Sequence, residues 1–188
     1  MPNFVSIGDK TLINNRDIKF VKIQNGNLTK SHAPIIKLGD FIPFYFGVRM
    51  PMLYVIQHGG NFVPNAVNPE NIVYLACSVV QVASIGKTFY FSDGHGTDRF
   101  TRFYDYSKLP QLPDIIDWEA ITKQYWGTAN LDVKRKKQAE FIIEGDIPPH
   151  LIIGFGCFNK DARNRLIDMG VLGTKIKIIP NAYYSNGI

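Results

Sequence analysis

Ten residues constrain this chain more than any others: Lys134-Arg135-Lys136-Lys137-Gln138-Ala139-Glu140-Phe141-Ile142-Ile143. Phe141 to Ile143 read as a strand, and Glu140 stands at its mouth. A carboxylate entering an apolar strand costs free energy unless it has a partner or a task. Any fold for this sequence therefore has to seat Glu140 at a strand end, beside four consecutive cations. Such a basic run is either an ordinary solvated face or a place where a polyanion is held next to a working carboxylate.

The 188 residues suffice for one domain, 1–188, with a real core. No apolar run reaches the length of a membrane span, and Met1 to Lys10 lacks a charged region followed by an apolar one. A cytoplasmic protein without a membrane partner is expected. Cys77 and Cys157 lie inside apolar runs and read as buried free thiols. The four histidines and two cysteines show no zinc spacing, so no metal is expected. A net charge of +5 permits a nucleic-acid partner through phosphate neutralisation. Aromatic rings add a stacking surface for single-stranded bases, although most of the 13 phenylalanines must serve the core.

Strands are predicted at Phe41–Phe46, Met52–Ile56, Ile72–Ser78, Thr88–Phe91, Ala139–Ile143, Leu151–Cys157 and Lys175–Ile179, bounded by Gly, Pro and Asn. Helices are predicted at Lys10–Asn15, with Asp9 as N-cap, at Asp114–Tyr125, and at Asp161–Met169, stopped by Gly170. Gly94 to Pro113 reads as a long working loop. Strands outnumber helices and do not alternate with them, which argues for an α+β fold with a mixed or antiparallel sheet.

Three further segments could carry chemistry. Phe44 to Tyr54 breaks at Gly47, presents Arg49 and resumes after Pro51. It is either a strand pair with an exposed Arg or a ledge offering Arg and aromatic faces to a flat ligand. Ser92-Asp93-Gly94-His95-Gly96 is a turn with an imidazole at its tip, and its glycines allow close approach. Arg16 follows a short helix, where it either complements the dipole or binds a diphosphate through its fork geometry.

Taken together these segments resemble the DarT family, bacterial toxins that transfer ADP-ribose from NAD⁺ onto a thymidine base in single-stranded DNA. The matching elements are Ser6 to Arg16, Asp40 to Phe46 with Arg49 and Pro51 to Tyr54, Asp93 to Gly96, Asp117 to Ile121 with Tyr125-Trp126, and Lys136 to Phe141. They occur in the family's order with similar spacing across most of the chain. The resemblance implies an ADP-ribosyltransferase-like α+β fold of mixed or antiparallel sheets with a few flanking helices.

It further implies that Glu140 is the catalytic glutamate. A carboxylate binding the 2′-hydroxyl of the nicotinamide ribose stabilises oxocarbenium-like charge as nicotinamide departs. Arg16 would contact NAD⁺ and help activate a thymine ring nitrogen, a poor nucleophile while protonated. The DNA strand would be lined by Arg49, Met50, Pro51, Met52, Leu53 and Tyr54, by His95, by Gln124, Tyr125, Trp126 and Gly127, and by Lys134, Arg135, Lys136, Lys137 and Gln138. Here cations track phosphates while Met and aromatic side chains pack on bases. NAD⁺ would be a co-substrate and a macrodomain-type antitoxin a partner.

Two departures from the family pattern carry expectations of their own. Gly47-Val48-Arg49-Met50-Pro51 stands where the family has Cys-Pro-Arg-Ser-Pro, so Met50 replaces a small polar residue beside the DNA and sequence preference should differ. The family also places an NAD-binding His-x-Thr strand and helix ahead of the segment starting here at Ser6, and this sequence has no counterpart. A shortened member is expected, with a non-catalytic single-stranded DNA-binding module as the alternative function.

Overall fold

The computed structural model describes residues 19–24, 35–60, 63–127 and 130–184. Arg16 and the helix predicted at Lys10–Asn15 lie outside the described residues. In chain order the strands are β1 (Phe20–Gln24), β2 (Ile35–Lys37), β3 (Phe41–Tyr45), β4 (Tyr74–Cys77), β5 (Phe89–Ser92), β6 (Phe103–Tyr104), β7 (Glu140–Glu144), β8 (Ile152–Cys157) and β9 (Ile176–Ile178). The helices are α1 (Pro51–His58), α2 (Val79–Ala83), α3 (Leu112–Ile115), α4 (Trp118–Thr122), α5 (Leu131–Lys137) and α6 (Lys160–Asp168). The fold is α+β, as the strand-rich pattern predicts.

The residues group into two compact units. Among the described residues one unit takes in 52–60, 63–85 and 147–184, the other 19–24, 35–51, 86–127 and 130–146. The second unit carries a six-stranded sheet of order β2-β1-β6-β5-β7-β3. β1 and β6 run parallel, and every other neighbouring pair is antiparallel. Its core is built from Ile23, Leu38, Phe41, Phe103 and Ile142. β7 sits between β5 and β3, and its residues 140 to 143 are all buried, which explains the unbroken apolar run after Glu140.

The first unit holds the sheet β4-β8-β9, with β4 antiparallel and β9 parallel to β8. Cys157, Ala162, Leu166 and Ile176 join this sheet to α6. Asn159 caps α6 through Ala162 N at 2.9 Å, and Gly170 leaves it with φ +91°. A second core gathers Leu53, Ile56, Val63, Ile72, Ala182 and Tyr183.

Three sequence expectations need correction. Met52–Ile56 is helical, not a strand. Pro51 opens α1 with a pre-set φ, and the buried Leu53, Ile56 and Gln57 have the i, i+3, i+4 spacing of one helix face. The predicted helix Asp114–Tyr125 is two short helices. Asp117 turns its side chain onto Ala120 N at 2.9 Å, so it begins a new helix instead of continuing the old one. The loop Gly94–Pro113 contains β6 and a 3-10 segment, Tyr106–Gln111, capped by Asp105.

Tyr183 holds the first unit's second core from within. Its fully buried hydroxyl lies 3.0 Å from both Ile72 O and Gly156 O, and burial raises its pKa well above the ordinary tyrosine value. Tyr183→Phe leaves these carbonyls without that donor and should cost about 1–3 kcal/mol in denaturant unfolding. A cost below about 0.5 kcal/mol would assign the hydroxyl no structural role.

Candidate active site

The strand order brings three connections to one end of the six-stranded sheet. β3 and β5 both run antiparallel to β7, with Tyr45 opposite Glu140 and Phe91 opposite Phe141. The ends of β3 and β5 therefore meet the start of β7. There the turn after β5 (Ser92 to Gly96) closes on Glu140, and the turn after β3 (Gly47 to Met50) meets Lys137 at the end of α5.

Glu140 is 1% exposed. Its backbone N–H donates to Ser92 Oγ at 3.1 Å, and that hydroxyl donates onward to Gly94 O at 2.7 Å. His95 Nδ1 stands 3.6 Å from Glu140 Oε1, an ion-pair distance but longer than a hydrogen bond. The ring's Nε2 is 2.9 Å from Thr97 Oγ1. With the Thr97 hydroxyl donating, the imidazole proton sits on Nδ1, toward the carboxylate. Gly96 packs against the same group: a Cβ there would lie 2.9 Å from Glu140 Oε2 and 3.4 Å from Leu38 Cδ1.

Arg135 fixes the turn that carries His95. Its Nη1 donates to Asp93 Oδ1 at 3.0 Å, its Nε to Asp132 Oδ1 at 2.8 Å, and its carbonyl accepts His95 N at 2.9 Å. A Cβ on Gly94 would come within 2.4 Å of Arg135 Nη1, so the guanidinium lies directly on that glycine. The two glycines flanking His95 thus have separate reasons, one facing Arg135 and the other Glu140. Asp93 Oδ1 also accepts Arg102 N at 2.9 Å, closing the loop on itself.

The basic run is divided by its helix. Successive residues of α5 are turned by about 100°, so the four cations cannot share a face. Lys134 is exposed, with its ammonium 5.1 Å from the Trp126 ring centroid. Arg135 holds the His95 turn. Lys136 pairs with Asp117 and Asp132, each at 3.2 Å. Those partners raise the Lys136 ammonium pKa. Asp117 lies below the usual carboxylate range, first through the Ala120 amide, and Asp132 likewise, first through Arg135.

Lys137 is 1% exposed and donates to Ile121 O at 2.8 Å, with Val48 O at 3.5 Å. Burial first, and the Arg49 guanidinium second, lower its ammonium to about 8.

The remaining sequence-predicted residues separate by burial. Gln124, Tyr125 and Gly127 are exposed, Tyr125 to 70%, and Trp126 is half-buried beside Lys134. Gln138 is buried and donates to Lys134 O. Arg49 is half-buried with φ +55°, while Met50 and Pro51 are buried. In the other unit Leu53 belongs to the core, Met52 packs against it, and Tyr54 is exposed and stacked on His58 at 4.2 Å. Ser92, Asp93 and Thr97 hold the site together; the sequence marks the turn of Ser92 and Asp93 but not their supporting roles, and it does not single out Thr97. Nothing in the sequence links Ser92 to a strand start 48 positions later.

A buried carboxyl group beside an imidazole can hold a sugar hydroxyl and, when ionised, stabilise positive charge developing next to it. The closeness of the Gly96 backbone supports that fit, because it leaves no room for a competing side chain at Oε2.

The Lys137 environment makes a prediction for stability. The unfolded lysine titrates near 10.5 and the folded one near 8. Below pH 8 the folded state carries the full cost of the buried charge, and the cost disappears as pH rises from 8 to 10.5. Unfolding free energy of the natural chain should therefore gain about 3 kcal/mol over that window relative to Lys137→Met. Parallel pH profiles for the two proteins would contradict the burial of a charged Lys137.

Comparison with known proteins adds an independent line. A DNA ADP-ribosyl transferase of Thermus sp. (strain 2.9) is 38% identical over 115 residues, covering 61% of this chain and 52% of that protein. Its counterpart in Thermus aquaticus is 36% identical over 128 residues, covering 68% and 54%. The chain thus spans about half the length of these curated relatives. Among solved structures, Thermus sp. 2.9 DarT in complex with ADP-ribosylated ssDNA superposes with TM-score 0.74 and 28% identity, over 90% of this chain and 77% of that one. The same protein in complex with carba-NAD⁺ gives 0.70 and 30%, over 80% and 76%. The family model described as "ssDNA thymidine ADP-ribosyltransferase, DarT" matches residues 1–184, and this chain belongs to that family.

Proposed function

We propose that this chain transfers ADP-ribose from NAD⁺ to a ring nitrogen of thymidine in single-stranded DNA. The observation that carries the reading is the buried Glu140 carboxylate, held between His95 and the Gly96 backbone in a chain of this family. One solved relative, Thermus sp. 2.9 DarT, in complex with carba-NAD⁺ and with ADP-ribosylated ssDNA, supports both substrates.

In this mechanism Glu140 accepts the 2′-hydroxyl of the nicotinamide ribose and stabilises the cationic sugar. The bond from the anomeric carbon to the nicotinamide nitrogen breaks, its electron pair leaving with neutral nicotinamide. The thymine nitrogen gives up its proton to solvent water and supplies the pair for the new bond. Arg16, outside the described residues, is assigned to NAD⁺ and to favouring the deprotonated thymine. His95 keeps the carboxylate oriented from the Nδ1 side. Arg49, Gln124, Tyr125, Trp126 and Lys134 are assigned to the strand, cations on phosphates and rings on bases.

As a family member the chain would act in the cytoplasm as the toxin of a toxin–antitoxin pair, opposed by a macrodomain-type antitoxin. Among the described residues no helix is long and apolar enough to cross a membrane.

Mass spectrometry of a thymidine-containing single-stranded oligonucleotide, incubated with the chain and NAD⁺, tests the reaction. The expected gain is one ADP-ribose, absent in Glu140→Ala while oligonucleotide binding persists. An undiminished rate in that variant would reject Glu140 as the catalyst. Gly96→Ala pushes a methyl against the carboxylate and should lower kcat on the order of 100-fold with the fold retained. A loss of under about threefold would mean that the loop yields without moving the carboxylate.

A further inference from the structure

We infer that Lys137 is a positioning residue for Arg49: it latches the Gly47–Met50 turn onto the end of α4 and so sets how Arg49 meets the single strand. This rests on the proposed function for its last step, although the latch itself does not.

The geometry is specific. Ile121 lies in the last turn of α4, where a helix leaves carbonyls without intrahelical partners. Lys137 Nζ reaches that carbonyl at 2.8 Å and, at 3.5 Å, the carbonyl of Val48, the residue before Arg49. One ammonium thus bonds Ile121 O and stands at the outer limit of hydrogen bonding from Val48 O, 73 positions earlier (121 − 48). The turn is pressed onto the helix with no slack. A Cβ on Gly47 would lie 2.7 Å from Ile121 Cγ2 and 3.1 Å from Met50 Cε, and Met50 is itself 3% exposed.

Arg49 takes φ +55°, a conformation a non-glycine residue keeps only where its surroundings impose it. The Lys137 ammonium and the Gly47 packing, both meeting Ile121, supply that imposition. Sequence position alone would class Lys137 with the phosphate-tracking cations, but its burial keeps the ammonium from a phosphate.

The test measures steady-state transfer to a thymidine oligonucleotide. Lys137→Met should raise the oligonucleotide KM about tenfold, the size of a typical coupling, while the NAD⁺ KM stays within about twofold. In an Arg49→Ala background the same substitution should add less than about twofold, because the lysine acts through the arginine. Full multiplicative effects of the two substitutions would show instead that Lys137 touches the strand itself and would overturn the inference.

Gly47→Ala displaces the turn while leaving Lys137 intact, so it should reproduce the raised oligonucleotide KM. An unchanged KM there would also overturn it. Hydrogen exchange of the Gly47–Met50 amides decides the latch without DNA. Exchange should quicken about tenfold or more in Lys137→Met, and an unchanged rate overturns the inference. An unsubstituted chain that neither binds nor modifies the oligonucleotide would count against the proposed function alone, the exchange result standing separately.

Discussion

A carboxylate inside a sheet is the constraint from which the rest of this structure follows. Glu140 sits at the head of β7, between β5 and β3, and almost none of it reaches solvent. Burial of such a group is costly unless hydrogen bonds and charges are arranged around it. The antiparallel pairing meets that need by delivering the ends of both neighbouring strands to the same place. Ser92 then takes up the Glu140 amide, Gly96 closes against the carboxylate, and His95 stands at ion-pair distance. The outer strands add Ile23 and Phe103 to the core that Phe41 and Ile142 form beneath the sheet.

Positioning here is hierarchical. His95 is placed by its own turn, the turn by Arg135, and Arg135 by Asp93 and Asp132 on either side. A guanidinium suits the task because its fixed fork can bond two carboxylates and a backbone carbonyl without changing shape. Replacing it with Lys would keep the charge and lose that geometry. Glu140 itself needs no such chain of supports, since its backbone is already part of β7.

Much of the sheet was legible because β-branched and aromatic runs between Gly, Pro and Asn have few other uses. Six of the seven expected strands lie within two residues of β3, β4, β5, β7, β8 and β9. Met52–Ile56 failed because a short continuous apolar run has no period of its own, and only the burial of Leu53, Ile56 and Gln57 reveals the helix. β1 was missed although Val21 and Ile23 alternate with Phe20 and Lys22. α5 was missed because Leu131 and Val133 are its only apolar residues. That omission mattered most for the site: without a helix, four adjacent cations read as one patch. The glutamate, the His95 turn and Arg49 were visible as residues, whereas Ser92, Thr97 and Asp93 act through pairings that only the folded chain creates.

The division of the basic run also sets how this surface senses salt. Each phosphate neutralised on a single strand releases counterions worth roughly 0.7 in the log–log slope of affinity against salt. Four consecutive cations would suggest a contribution near four times that. In the folded chain Arg135 and Lys136 already face carboxylates and Lys137 is buried, and of these four Lys134 is the most exposed. If the proposed single strand runs along this helix, it would meet fewer than four cations available to its phosphates, and its salt slope would be shallower than the raw sequence implies.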